Sequence, residues 1–169
     1  MNNIKEIISE TDIKNRIKEL GKILTEEYKN KDLVIIAIMN GSLIFSADII
    51  REIKLPLIYD IFGASSYINE TSTGKIAIRT TLKNQIKDKH VLLIDDILDT
   101  GYTLNFIKDY MQEQQPLSIK TCVLLNKNIP NKISQPDYKA FDIDDKFVVG
   151  YGLDFNEQYR NLPYIGVIS

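Results

Sequence analysis

Two short runs of this chain, Leu33-Val34-Ile35-Ile36-Ala37-Ile38 and Val91-Leu92-Leu93-Ile94, contain no polar side chain. A strand can be apolar on both faces only where both faces are covered, and helices are the usual cover of a parallel sheet. The neighbouring sequence supplies those helices. Ile13, Ile17, Leu20 and Leu24 recur at steps of four, three and four, which predicts a helix from about Asp12 to Tyr28 with Thr11 as its cap. Gly41-Ser42 ends the first apolar run, and Leu43 to Glu52 returns to helical spacing. After the second run a helix carries Leu104, Ile107 and Met111 and stops before Pro116, and a further strand is expected from Ile119 to Leu125. Strands alternating with helices in this way build one mostly parallel α/β sheet with helices on its faces.

Between these units the pattern changes. Leu57 to Ile61 reads as a strand, residues 65–74 are polar and without periodicity, as a mobile loop would be, and Lys75 to Thr80 alternates like one arm of a hairpin. Together they predict a flap. The last forty residues break the alternation and are expected to form a small lobe beside the carboxyl edge of the sheet. A chain of 169 residues without repeat or linker has the size of one domain.

Charge narrows the function. With 21 basic against 23 acidic residues and a net charge of −2, the chain has no basic surplus for nucleic acid, so any phosphate binding must be local. No apolar run approaches the roughly 18 residues of a spanning helix, and the polar start Met1-Asn2-Asn3-Ile4-Lys5-Glu6 resembles no leader, so a cytoplasmic protein without membrane contact is expected. Cys122, in Thr121-Cys122-Val123-Leu124-Leu125, reads as a small core hydrophobe. Neither the dinucleotide glycine fingerprint nor the Gly-Lys-Ser/Thr phosphate loop occurs.

A different phosphate device lies in His90-Val91-Leu92-Leu93-Ile94-Asp95-Asp96-Ile97-Leu98-Asp99-Thr100-Gly101-Tyr102-Thr103-Leu104. An apolar strand delivers two adjacent carboxylates to the edge where open α/β sheets bind ligands. Vicinal sugar hydroxyls and a hydrated magnesium ion are both suitable partners for such oxygens. Thr100 to Thr103 then place hydroxyls and free amides at a helix N-terminus, which attracts phosphate. Any one of Asp95, Asp96 and Asp99 alone would read as a cap or turn residue. An acidic phosphoacceptor site on a flavodoxin-like sheet would gather aspartates similarly.

This segment resembles the phosphoribosyl pyrophosphate (PRPP) signature of the phosphoribosyltransferases, and Asp96-Ile97-Leu98-Asp99-Thr100-Gly101 resembles their hypoxanthine-guanine branch. A second match runs from Asp145-Lys146-Phe147-Val148-Val149-Gly150-Tyr151-Gly152-Leu153-Asp154 to Tyr159-Arg160-Asn161-Leu162-Pro163-Tyr164-Ile165-Gly166. The resemblance implies the type I phosphoribosyltransferase fold, with a core sheet over about 30–127, a flap loop over about 64–81 and a base-binding hood over about 128–169 with the N-terminal segment. It implies PRPP and a 6-oxopurine as substrates, Mg2+ as cofactor, and a homodimer or homotetramer.

Residue by residue, the resemblance assigns Asp95 and Asp96 to ribose and metal, with Asp154 as a second metal-linked carboxylate near the purine 2-position. It assigns Thr100, Gly101, Tyr102 and Thr103 to the 5′-phosphate, with Asp95, Asp96 and Asp99 in the same PRPP-binding segment, and Asp99 further to purine N7 as catalytic base or acceptor. Lys127 would donate to the 6-oxygen, Phe147 would stack on the base, and the Val148 carbonyl would meet the 2-position. Asn40, Gly41 and Arg160 would hold pyrophosphate, the peptide before the glycine being cis in the family, and Ser66 and Tyr67 would lie on the flap. Asp95 stands where glutamate is common, Asn40 where lysine or arginine is common, and Tyr102 where a polar or basic residue is common. A regulator binding PRPP and RNA would need a basic face, which the charge balance does not supply.

Overall fold

The computed structural model describes residues 3–67 and 75–168. In chain order these form β1 (Ile4–Ile8), α1 (Glu10–Glu27), β2 (Leu33–Met39), α2 (Leu43–Glu52), β3 (Ile58–Tyr67), β4 (Lys75–Thr80), β5 (His90–Leu98), α3 (Tyr102–Gln112), β6 (Ser118–Lys127), β7 (Tyr138–Ile143), β8 (Val148–Val149) and β9 (Ile165–Ile168). The main sheet has six strands in the order β4-β3-β2-β5-β6-β7, parallel except for the β3–β4 hairpin. A smaller antiparallel sheet has the order β1-β9-β8.

The apolar strands are covered on both sides. Alternation along β2 and β5 sends Ile35, Leu92 and Ile94 to a core shared with Ile13, Ile17, Leu20 and Leu24 of α1 and Phe45 and Ile49 of α2. Val34, Ile36, Val91 and Leu93 face the opposite core with Leu104, Ile107 and Met111 of α3. Each such large side chain, once buried, contributes about 1.5–3 kcal/mol. Cys122 sits within the first core, and burial pushes its thiol up to about 12, which keeps it protonated and unreactive.

Several boundaries differ from the sequence reading. Helix α1 begins at Glu10, and its cap is Ser9 rather than Thr11: Ser9 Oγ accepts the Asp12 N–H at 3.1 Å and donates to Asp12 Oδ2 at 2.6 Å. Strand β5 continues through Asp95-Asp96 to Leu98, because pairing such as Asp95↔Val123 and Leu98↔Asn126 extends the ladder past the apolar run. β3 runs to Tyr67 for the same reason, with Ser66↔Ile76 and Tyr67↔Lys75 as late pairs against β4. Lys127, two residues past the expected strand end at Leu125, ends β6 opposite Ile143, and residues 138–143, assigned to the lobe, add β7 to the main sheet.

Asp60 in β3 is only 7% exposed and has a structural task absent from the sequence reading. Its Oδ2 accepts the main-chain N–H groups of Lys83 and Asn84, both at 2.8 Å, and Asn84 Nδ2 at 3.1 Å, while Oδ1 accepts the Ile61 N–H at 2.9 Å. The carboxylate thereby ties down the chain leaving β4, at the base of the hairpin. Burial opposes its ionisation, but the donors of Asn84, Ile61 and Lys83 outweigh burial and hold its pKa below 3.8. A depressed folded-state pKa gives stability that is present above the unfolded aspartate range and is lost as pH falls through the folded value. Asp60→Ala is expected to lower unfolding free energy at neutral pH by about 2–4 kcal/mol, because buried donors lose their acceptor. Urea denaturation measures this, and an unchanged midpoint would contradict the role.

Candidate active site

The order of the main sheet reverses at β2, whose sequence neighbour β3 lies on one side and β5 on the other. Open α/β sheets bind ligands in the crevice beyond the carboxyl ends of strands at such a point. Here those ends are Asn40-Gly41-Ser42 after β2 and the Asp95–Gly101 segment of β5 and its turn. The Met39–Asn40 peptide is cis, one residue earlier than the peptide before Gly41 that the resemblance suggested. Gly41 lies against Asp96: a Cβ built on it would stand 1.6 Å from Asp96 Oδ2.

Asp95 and Asp96 are half-buried, and among the described residues neither forms a salt bridge. Burial, and next the adjacent Asp96 charge, push the Asp95 carboxyl well above 3.8. Burial also raises Asp96, against the hydrogen bond to Asp95, the Ile97 N–H at 2.8 Å and the Arg160 charge. Desolvated carboxyls in this state gain from a hydroxyl donor or a cation.

Past β5 the chain turns through Asp99 and Thr100, both exposed, to Gly101 at φ +95°. That left-handed conformation favours glycine, and a Cβ would also lie 2.3 Å from Ser134 Oγ. α3 starts at the next residue without a side-chain cap, so the N–H groups of its first turn remain available to an anion. A cavity of about 70 Å³, phosphate-sized, is lined by Asp95, Asp99, Thr100, Gly101 and Thr103 among others. Tyr102 is not among its lining residues; its side chain is mostly exposed.

Lys127 at the end of β6 reaches the same turn. Its side chain is 12% exposed, and Nζ lies 3.2 Å from Asp99 Oδ2 and 3.1 Å from Asp145 Oδ1. Burial works against its charge, but the bonds to Asp145 and Asp99 outweigh that and raise its pKa above 10.5. Phe147 is 56% exposed, with its ring 5.6 Å from that of Phe155 in an edge-to-face pair. Such exposure leaves an aromatic free to stack. Val148 is buried in β8, paired with Val167 of β9.

Arg160 completes the cluster. It donates to the Gly152 carbonyl at 2.8 Å and pairs with Asp154 Oδ1 at 2.8 Å and Glu157 Oε2 at 3.0 Å, and its charge is felt at Asp96. Gly152 in turn abuts the Gly41 carbonyl. The structure thus gathers Gly41, Asp96, Gly152, Asp154 and Arg160, and beside them Asp99 and Lys127. Ser66 and Tyr67 end β3, and the rest of the flap loop, 68–74, lies outside the described residues. Asp145, Phe155 and Glu157 were missed by sequence reasoning, since only tertiary pairing with Lys127, Phe147 and Arg160 reveals them.

Among the described residues no three or more His, Cys, Asp or Glu side chains gather as a closed metal cage. Asp95 and Asp96 nevertheless fit a hydrated magnesium ion, which keeps waters and takes remaining ligands from phosphate oxygen. The Asp154 carboxylate is engaged by Arg160 and by the Glu157 N–H at 2.9 Å.

A family described as the phosphoribosyl transferase domain matches residues 3–156. Hypoxanthine-guanine phosphoribosyltransferase of Staphylococcus epidermidis is 44% identical over 165 residues, covering 96% of this chain and 92% of that protein. Hypoxanthine-guanine-xanthine phosphoribosyltransferase of Tritrichomonas foetus is 36% identical over 172 residues, covering 100% and 94%. The crystal structure of a hypoxanthine phosphoribosyltransferase from Staphylococcus aureus superposes with a TM-score of 0.92 at 43% identity, covering 98% of this chain and 91% of that one. The fold is the type I phosphoribosyltransferase fold. Within it, the chain belongs to the hypoxanthine-guanine phosphoribosyltransferase family.

Proposed function

We propose that the protein transfers the 5-phosphoribosyl group of PRPP to hypoxanthine or guanine, giving IMP or GMP and pyrophosphate, as a purine-salvage enzyme. The observation that carries this reading is the Lys127–Asp99 pair beside the phosphate-sized cavity. A donor and an acceptor set 3.2 Å apart suit one purine edge, where the 6-oxygen accepts and N7–H donates. Adenine would present a 6-amino donor to the Lys127 donor, an unmatched pair that costs it heavily.

In this reading the free amides at the start of α3, with Thr100 and Thr103, hold the 5′-phosphate, and Asp95 and Asp96 hold the ribose hydroxyls. Lys127 turns from its carboxylates to the 6-oxygen, Asp99 takes the N7 proton, and Phe147 stacks on the ring. The N9 lone pair attacks ribose C1 with inversion, and the C1–O bond breaks with its electron pair leaving on pyrophosphate. Arg160 and the Asn40-Gly41 turn stabilise that developing charge. A magnesium ion bound at Asp95 and Asp96 would neutralise pyrophosphate and help orient the ribose. Closure of the flap carrying Ser66 and Tyr67 would exclude water from the ribosyl centre. Cytoplasmic placement and a dimer or tetramer of identical chains belong to the same proposal.

The test is nucleotide formation from PRPP and magnesium with hypoxanthine, guanine, xanthine, adenine and uracil offered separately. Product is expected from hypoxanthine and guanine, and none from adenine or uracil. Product from adenine at a comparable rate would remove the base pocket assigned to Lys127, and no product with any base would remove the transferase reading.

A further inference from the structure

Lys132 lies in the connection between β6 and β7, where a lysine is ordinarily solvated. Instead it is half-buried and turned back toward the strand it follows. Its Nζ donates to the main-chain carbonyl of Lys127 at 2.8 Å and to Asn126 Oδ1, and Asn126 Nδ2 donates to Asp142 Oδ1 at 2.6 Å. Among the described residues no carboxylate stands within salt-bridge distance of it. Burial lowers its pKa below 10.5, opposed by the charges of Asp99 and Asp142, while Lys139 adds to the lowering. An ammonium group anchored on neutral oxygens, one of them the carbonyl of the very residue that reaches Asp99, is an unusual use of a buried cation.

We infer that Lys132 is a positioning residue for base recognition, acting through Lys127. The inference rests on the base pocket proposed above. Lys127 stands at the last register pair of β6 with β7, and just beyond it the Asn128 N–H donates to the Ile143 carbonyl at 2.8 Å. Pinning its carbonyl fixes the main chain from which its long, otherwise rotatable side chain departs toward Asp99. The next two residues hold the other subsite: the Ile133 N–H donates to the Thr100 carbonyl at 3.0 Å, and Ser134 lies against Gly101. Lys132 therefore anchors the base-reading lysine, while Ile133 and Ser134 anchor the phosphate turn. When Lys127 leaves Asp99 for a purine oxygen, the Lys132 charge remains near Asp99, so the carboxylate is not left without a neighbouring cation.

The experiment compares Lys132→Met and Lys132→Arg with wild type in the full chain. Initial rates are measured over hypoxanthine and PRPP concentrations, PRPP binding is measured directly, and melting curves report the fold. Lys132→Met is expected to raise the hypoxanthine KM about ten-fold or more, through the lost charged hydrogen bonds, with PRPP affinity nearly unchanged. Lys132→Arg should recover most of that loss. A hypoxanthine KM unchanged in Lys132→Met, or a raised KM accompanied by an equal loss of PRPP affinity, would overturn the inference. If Lys132→Met melts well below wild type, Lys132→Gln supplies the same comparison with the same expected and opposing results. Wild-type protein inactive on every 6-oxopurine would instead overturn the base pocket itself, and this role with it.

Discussion

Asp99→Asn is expected to cut turnover with hypoxanthine by about 10²- to 10⁴-fold, the range of a general acid–base group, while PRPP binding barely changes. Asparagine keeps the shape and one acceptor oxygen but cannot take a proton. The side chain is exposed at the turn after β5, so the change buries no new polar group and leaves the fold intact. Lys127 loses one anionic partner but keeps Asp145 at 3.1 Å, so its charge remains supported. The decisive readout is kcat beside a direct PRPP binding constant. Unchanged turnover would refute the assignment of Asp99 to N7, and an equal loss in PRPP affinity would place its contact on the ribose hydroxyls instead.

Gly41→Ala should reduce kcat/KM for PRPP by about 10²-fold or more, the scale of a misplacement near 1 Å at a reacting centre. The reason is steric and local. Gly41 does not occupy the left-handed region, so alanine suits its backbone. Its Cβ, however, would sit 1.6 Å from Asp96 Oδ2 and 2.5 Å from Asp96 Cγ. The Gly41 carbonyl also abuts Gly152, so the loop is already packed there. Asp96 must therefore swing away from the position assigned to ribose and metal. The accompanying loss of stability should stay within about 1–3 kcal/mol, as for ordinary overpacking, so melting curves would show a folded protein. Near-normal kcat/KM would mean that Asp96 is free to move without cost, and that its placement against Gly41 does not matter.

What the sequence revealed follows from which forces are local. Leu33 to Ile38 and Val91 to Ile94 announce doubly covered strands because burial on both faces removes every polar residue. Leu43–Glu52 was readable because its helical spacing starts after Gly41-Ser42 and breaks before Pro56. The polar stretches misled: Asp95 to Leu98 looks like a turn by composition, yet a ladder to β6 holds it extended. The β1-β9-β8 sheet pairs Ile4 with Ile168, a contact that no window of sequence contains. The candidate site divides in the same way. Asp95 through Thr103 stand together in sequence and read as one device. Asp145, Phe155, Asp60 and Lys132 have no local signal, because each matters through a neighbour brought to it only by folding.

The small sheet also sets an order of events in the making of the protein. β8, which holds Val148 at the proposed base subsite, gains its paired neighbour only when residues 165–168 lie alongside. The six strands of the main sheet all precede residue 144. During synthesis the phosphate turn and its sheet can thus assemble while the wall of the base subsite still awaits β9, whose other edge must pair with β1 from the opposite end of the chain, and a long-range closure of that kind is intrinsically slow. A nascent chain would hold the half that grips the sugar phosphate before the half that selects the purine.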